Sequence, residues 1–370
     1  MTGTDVHPAG SPARLSILDQ ATIDAGSSAA RSLTAATELA RHAETWGCHR
    51  FWVAEHHGAP GLAGSAPAVL IAHIAALTRT IRVGSGGVML PLHAPLAIAE
   101  QFGTLHALHP GRIDLGVGRG PGADPVTAAA LRRDAAAPAG DEYARQLAEL
   151  TQFLDASFPP GHRYATVRAQ PGTAHNPGAG RPPLWLLSTS EGGARLAGQL
   201  GLPYVFLRHA SRTGPAIEAY RAVFRPSAVL AEPYVMLAVN VVAAEQEQHA
   251  RLLACAAGLA VLRSGSRPLP APTGSASRPR DPAEEERLQE WLSHRVIGEG
   301  THVAAQLKHL GAAVGADEVM ISCHVHGDAN RRRSYELIAR AYGVTPLPRS
   351  PAPPGGDRPI TPDPLVRTDV

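Results

Sequence analysis

FWVAEHHGAPGLAGSAPAVLIAHIAALTRTIRVGSGGVMLPLHAPLAIAEQFGTLHALHPGRIDLGVGRGPG, residues 51–122, decides the fold. RFWVA (50–54), IRVGS (81–85) and RIDLGV (112–117) are short, strand-length apolar runs. APAVLIAHIAALT (66–78) and PLAIAEQFGTLHAL (95–108), which alternate with them, have the length of helices. Strands that alternate with helices build a parallel sheet covered by those helices. Upstream, LSILD (15–19) reads as another strand, followed by a helix in which Leu33, Ala36, Leu39, Ala43 and Trp46 recur at helical spacing. Downstream, DEYARQLAELTQFL (141–154) is a helix. The alternation resumes with LWLLS (184–188), YVFLR (204–208), YVMLAVNVVA (234–243) and EVMIS (318–322), each followed by a helical segment. Eight strand-then-helix units predict an α/β fold closed into a (β/α)₈ TIM barrel over residues 14–343; an open doubly wound sheet usually has fewer strands.

Composition narrows the function classes. The chain has 370 residues, 44% of them apolar, enough to bury a large core. Its 34 basic and 32 acidic residues leave a net charge of +2, with no long run of one sign, so neither a nucleic-acid nor an anionic-membrane partner is implied. Lys308 is the one lysine and follows no glycine-rich loop, which argues against Schiff-base and Walker-type phosphate chemistry. Cys48, Cys255 and Cys323 are odd in number and widely spaced, as suits a reducing cytosol. No secretory signal pattern opens the sequence and no apolar run reaches spanning length, so a cytoplasmic protein is expected. Residues 1–13 read as a disordered leader and 344–370 as a proline-rich tail. Residues 263–283, RSGSRPLPAPTGSASRPRDPA, stand outside the alternation after the seventh strand, as an active-site lid or a plain insertion.

A barrel carries its chemistry at the C-terminal ends of its strands. Collected there are Asp19 and Gln20; Glu55, His56 and His57; Ser85, Gly86 and Gly87; GVGRG (116–120) with Arg119; Ser188, Thr189 and Ser190; Arg208 and His209; and His324 and His326. The glycine-rich GVGRGPG does not open a helix, as a dinucleotide fold would require, and reads better as a loop presenting Arg119 to a phosphate. Thr189 and Ser190 precede a helix, offering hydroxyls, amides and a positive helix end to the same phosphate, or simply an N-cap. A histidine-rich metal site is the rival. Neighbouring His56 and His57 point to opposite faces, however, and the HxH of metal-hydrolase barrels tends to lie on the first strand rather than the last. No metal is therefore assigned.

EHH (55–57), GSGGVMLP (84–91) and HPGRIDLGVGRG (109–120) together resemble the bacterial-luciferase-like flavin-dependent monooxygenases, and LWLLSTSEGGARLAGQLGLPYVF (184–206) continues the resemblance. It spans about residues 14–343 and is closer to the single-chain oxidoreductases of the family than to luciferase itself. The resemblance implies a luciferase-like barrel using reduced FMN, supplied by a separate flavin reductase, and O₂ to oxygenate a small organic substrate through a C4a-peroxyflavin. It implies His56 as the active-site histidine, with Glu55 and His57 as further catalytic residues and Glu55 orienting the pair. Gly86 and Gly87 fall at a non-prolyl cis peptide under the isoalloxazine, beside Val88. Arg119, Thr189 and Ser190 match the phosphate-binding positions. Residues 263–283 take the position of the lid, and a homodimer through the second and third helices, near Glu100, is implied. Gly118 stands where luciferase has a reactive cysteine, which separates this chain from aldehyde and light chemistry. The alternatives are a deazaflavin-dependent dehydrogenase of the same superfamily and a non-catalytic flavin-binding protein.

Overall fold

The structure is a computed structural model and describes residues 13–120, 124–131, 140–172, 180–207, 214–273 and 277–345. Residues 1–12 of the leader, 346–370 of the tail, 274–276 of the lid segment, and Arg208 and His209 lie outside them. In chain order the elements are β1 (Arg14–Asp19), α1 (Ala29–Trp46), β2 (Arg50–Val53), α2 (Pro67–Leu77), β3 (Arg82–Ser85), β4 (Val88–Met89), α3 (Pro95–Leu108), β5 (Ile113–Gly118), α4 (Pro125–Leu131) and α5 (Gly140–Asp155). They continue as β6 (Leu184–Ser188), α6 (Glu191–Gln199), β7 (Tyr204–Leu207), α7 (Gly214–Ala222), β8 (Val235–Ala244), α8 (Glu247–Ser264), α9 (Pro282–Ser293), β9 (Arg295–Glu299), α10 (Gly300–Ala313), β10 (Glu318–Ser322) and α11 (Asp328–Tyr342).

All named strand pairings are parallel. Strands β1, β2, β3, β5, β6, β7, β8 and β10 follow one another, and β10 pairs with both β8 and β1, which closes an eight-stranded barrel. These eight are the strands read from the sequence. The short strands β4 and β9 are additions: β4 pairs with the end of β5, and β9 pairs with the outer half of β8. Sequence periodicity missed β9 because RVIGE alternates half-buried and buried residues instead of forming an apolar run. Helix α9 was missed because PAEEERLQEWLS carries few apolar positions; Asp281 caps it by accepting the Glu284 N–H.

Alternation along the strands sorts the core into an outer layer under the helices and an inner column. Phe51, Val53, Ile113, Leu115, Val319 and Ile321 pack outward, while Leu18, Trp52, Trp185, Val205, Met236 and Met320 fill the lumen. The lumen is graded in polarity. At its N-terminal end Arg50 is buried between Asp114, 2.7 Å away, and Glu318, 3.0 Å away. Tyr234 also donates to Glu318, and Trp52 Nε1 to Asp114. Burial opposes charge there, but Arg50 and Arg82 hold the Asp114 carboxyl far below the usual range. Above this floor the Trp52 and Trp185 rings meet edge to face at 5.4 Å. The bottom of the barrel is thereby plugged, and the open space lies at the other end.

The lid segment 263–283 overlaps the end of α8 at Ser264 and the start of α9 at Pro282. Its described part lies against the loops after β1 and β2: Leu269 is buried, Ala25 N–H donates to Leu269 O at 2.8 Å, and Gly61 N–H donates to Ser266 O at 2.6 Å.

Candidate active site

Two-residue periodicity explains the mouth of the barrel. Along β2 it turns Arg50, Trp52 and Ala54 inward; carried past the strand end, it brings His56 to the lumen side and His57 to the other. His56 accordingly lines a cavity of about 230 Å³ with Leu18, Gly86, Ala238, Asn240 and Met320. The His56 N–H is held by Gly64 O at 2.8 Å, while its ring Nδ1 is buried with no hydrogen-bond partner among the described residues. Burial lowers the His56 pKa, and the charge of His57 adds to this against the opposing pull of Glu55, so the ring is neutral at pH 7.

Glu55 does not bond His56. Its buried carboxylate takes His57 Nε2 at 2.6 Å and His93 Nε2 at 2.5 Å on one oxygen, and the Met89 N–H at 2.8 Å on the other. Burial pushes this carboxyl up, but the His93, His57 and Met89 hydrogen bonds outweigh it and leave the pKa lowered. The expected orienting role thus extends to one member of the histidine pair, His57, together with a residue the sequence reading did not find, His93. Among the described residues, Glu55, His57 and His93 also form the one group whose ligand atoms, within 4.8 Å of one another, could hold a metal ion; His324 and His326 form no such group. Two imidazoles donating to one ionised carboxylate form charge-assisted hydrogen bonds, which account for the convergence. His324 instead meets Thr22 Oγ1 at 3.0 Å; burial, with Arg331, Arg295 and His56 nearby, pulls it down to about 4.

The Gly86–Gly87 peptide is cis. A Cβ on Gly86 would stand 2.6 Å from Leu18 Cδ1, and one on Gly87 3.0 Å from Gly116 O, so side chains at these positions would press on the barrel wall. Val88, in register with Val117, continues the wall. The phosphate candidates come together through strand register: Gly118 pairs with Leu187, which sets Arg119 beside Ser188 at the rim. Arg119 is exposed and has no hydrogen bond or ion pair among the described residues; its charge reaches Tyr143, whose buried hydroxyl has no partner. Ser190 is engaged as the N-cap of α6, accepting the Gly193 N–H at 3.2 Å, whereas Thr189 is exposed. The orphaned His56 Nδ1, the side-chain-free bed at Gly86–Gly87 and the free guanidinium at the rim fit a planar cofactor with an anionic tail.

A parallel β/α barrel with a polar-and-apolar cavity among these strand ends defines an enzyme with its site on the C-terminal face. The chain belongs to the luciferase-like monooxygenase family, whose family model matches residues 13–340. A luciferase-like monooxygenase of Escherichia coli (strain K12) is 41% identical over 87% of this chain and 95% of its own length. The solved structure of apo-MsnO8 is 37% identical, with a TM-score of 0.80 over 90% of this chain and 100% of that one. The N-acetyl-S-alkylcysteine monooxygenase of Bacillus subtilis (strain 168) is 34% identical over 89% of this chain and 98% of its own. The protein is a monooxygenase. Among the described residues, no helix is long and apolar enough to cross a membrane.

Proposed function

We propose that this monooxygenase uses reduced FMN and molecular oxygen to oxygenate a small organic substrate. When bound, the reduced flavin would supply the two electrons that place one oxygen atom in the substrate and release the other as water. Arg119 and the Thr189 hydroxyl, with the α6 N-terminus, would hold the phosphate. Gly86, Gly87 and Val88 would bed the ring. The observation that carries this reading is His56: a neutral imidazole with a buried, unpartnered Nδ1, lining the cavity beside the cis peptide. From there it can hold or pass a proton at Nδ1 without first giving up a partner.

Glu55 is a positioning residue, tying the strand that carries His56 to Met89, two residues past the cis peptide. The segment 263–283 would complete the enclosure that keeps water from the reacting atoms. A separate flavin reductase, a cytoplasmic setting and a homodimer through α2 and α3 belong to the same proposal. The test supplies reduced FMN and ¹⁸O₂ with a small thioether panel that includes N-acetyl-S-alkylcysteines, the compounds named for the Bacillus relative. One ¹⁸O atom in the product supports the reading. Turnover that reduces a deazaflavin without oxygen incorporation overturns it.

A further inference from the structure

We propose that Arg295, stacked on Trp291, forms an anion-binding subsite at the mouth of the barrel, and that the substrate carries a carboxylate or similar singly charged group. The identification of the ligand as substrate rests on the monooxygenase reading above; the subsite itself does not.

Arg295 opens β9, the strand added outside the eight of the barrel. In the β8–β9 pairing Asn240 is in register with Arg295, and side chains in register across a parallel pair share a face. Asn240 lines the His56 cavity, so Arg295 is on the cavity's side of the sheet, while the next residue, Val296, is buried in the outer core. The guanidinium carbon stands over the Trp291 ring, 3.1 Å from its centroid, and Nη1 donates to Trp291 O at 2.5 Å. A planar fork held on an aromatic face keeps donors at its edge free for a carboxylate.

No carboxylate pairs with Arg295 among the described residues. The contrast with the two most buried arginines is direct. Arg50 is paired with Asp114 and Glu318, and Arg331 with Asp24 and Asp328. Removing an arginine from water without a counter-ion is unfavourable, and burial alone pulls the Arg295 guanidinium down to about 9. His324 lies within electrostatic reach of both Arg295 and His56, so the three cluster at one rim. His324 is a neutral ring held by Thr22, and it offers Arg295 no negative charge. An anionic ligand supplies what the fold leaves out.

The position also sets the shape of the ligand. In the closed sheet β8 and β2 are separated by β10 and β1. An acid anchored on Arg295 therefore extends its remaining atoms across the mouth towards His56. The lining it crosses is mostly apolar, with Leu18, Met89, Leu207, Ala238 and Met320, interrupted by Gln20, Asn240 and Ser322. A small acid with an apolar body, reacting at an atom remote from the charged end, matches that arrangement.

The test measures binding by calorimetry to the full-length protein, with and without FMN, using hexanoate and phenylacetate against their methyl esters. The acids are expected to bind at least about tenfold more tightly than the esters, the order of a charge-assisted hydrogen bond in a half-buried site. Arg295→Met, which keeps the apolar stem, is expected to abolish the preference, and Arg295→Lys to restore part of it. Equal binding of acid and ester, no binding of either acid, or an unchanged preference in Arg295→Met would overturn the subsite. The wild-type comparison decides the matter even if the variants do not fold. The two readings fail separately: acid selectivity without oxygen incorporation removes the oxygenase and leaves the subsite, whereas oxygenation of neutral and acidic substrates alike removes the subsite alone.

Discussion

Glu55→Gln keeps the shape of the side chain and removes its charge. One end must keep its oxygen towards the Met89 N–H, since an amide nitrogen there would set donor against donor. The amide nitrogen then faces His57 and His93, which must turn from donors into acceptors by changing tautomer. Two charge-assisted bonds, each worth about 1.5–3 kcal/mol, become neutral ones of about 0.5–1.5 kcal/mol, a net loss of about 2–3 kcal/mol. In a chain of this size that lowers Tm by roughly 3–4 °C. Because folding lowers the Glu55 pKa, its contribution is present above the unfolded carboxyl value of about 4.3 and is lost as pH falls through the folded one. Thermal unfolding of both proteins from pH 8 down to pH 3 should therefore show a wide gap at neutral pH that closes below about pH 4. The variant should also bind FMN more weakly, because Met89 adjoins the bed at Gly86–Gly87. A Tm within a degree of wild type at pH 7, with unchanged FMN affinity, would refute the positioning role.

His56→Ala should retain FMN binding but release hydrogen peroxide in place of oxygenated product; coupling equal to wild type would remove His56 from the chemistry. Arg119→Ala should weaken FMN binding about ten- to a hundredfold and flatten its salt dependence, and an unchanged Kd would sink the phosphate assignment. Asp114→Asn leaves Arg50 buried with one carboxylate fewer and should cost about 3–5 kcal/mol in urea unfolding. A loss under about 1 kcal/mol would mean that Glu318 alone satisfies the arginine.

Much of the fold was legible because parallel barrel strands are buried on both faces and leave short apolar runs between helices. LWLLS and EVMIS became strands with the bounds read from the sequence. What sequence could not show follows from two physical causes. Strand β9 and helix α9 are stabilised by neighbours rather than by their own apolar pattern, so periodicity passed over RVIGE and PAEEERLQEWLS. His93 is not at a strand end; it enters the site through a turn that folds back onto Glu55, a contact no local pattern encodes. Asn240 did carry a signal, as the lone polar residue within VMLAVNVVAA, and it lines the cavity. The opposite orientations of His56 and His57 were readable from strand alternation, whereas the partner of Glu55 was not. Ser190 shows one residue meeting both readings, since the cap it forms presents the same helix end to which a phosphate would bind.

The central proposal, reduced FMN held beside His56 and reacting with oxygen, is tested most directly by anaerobic titration with reduced FMN and with reduced deazaflavin, followed by rapid mixing with oxygen. The expected result is one equivalent of reduced FMN bound in preference to the deazaflavin, then reoxidation through an absorbing species distinct from both free forms of the flavin. Preferential binding of the deazaflavin, or no binding of reduced FMN, would contradict it.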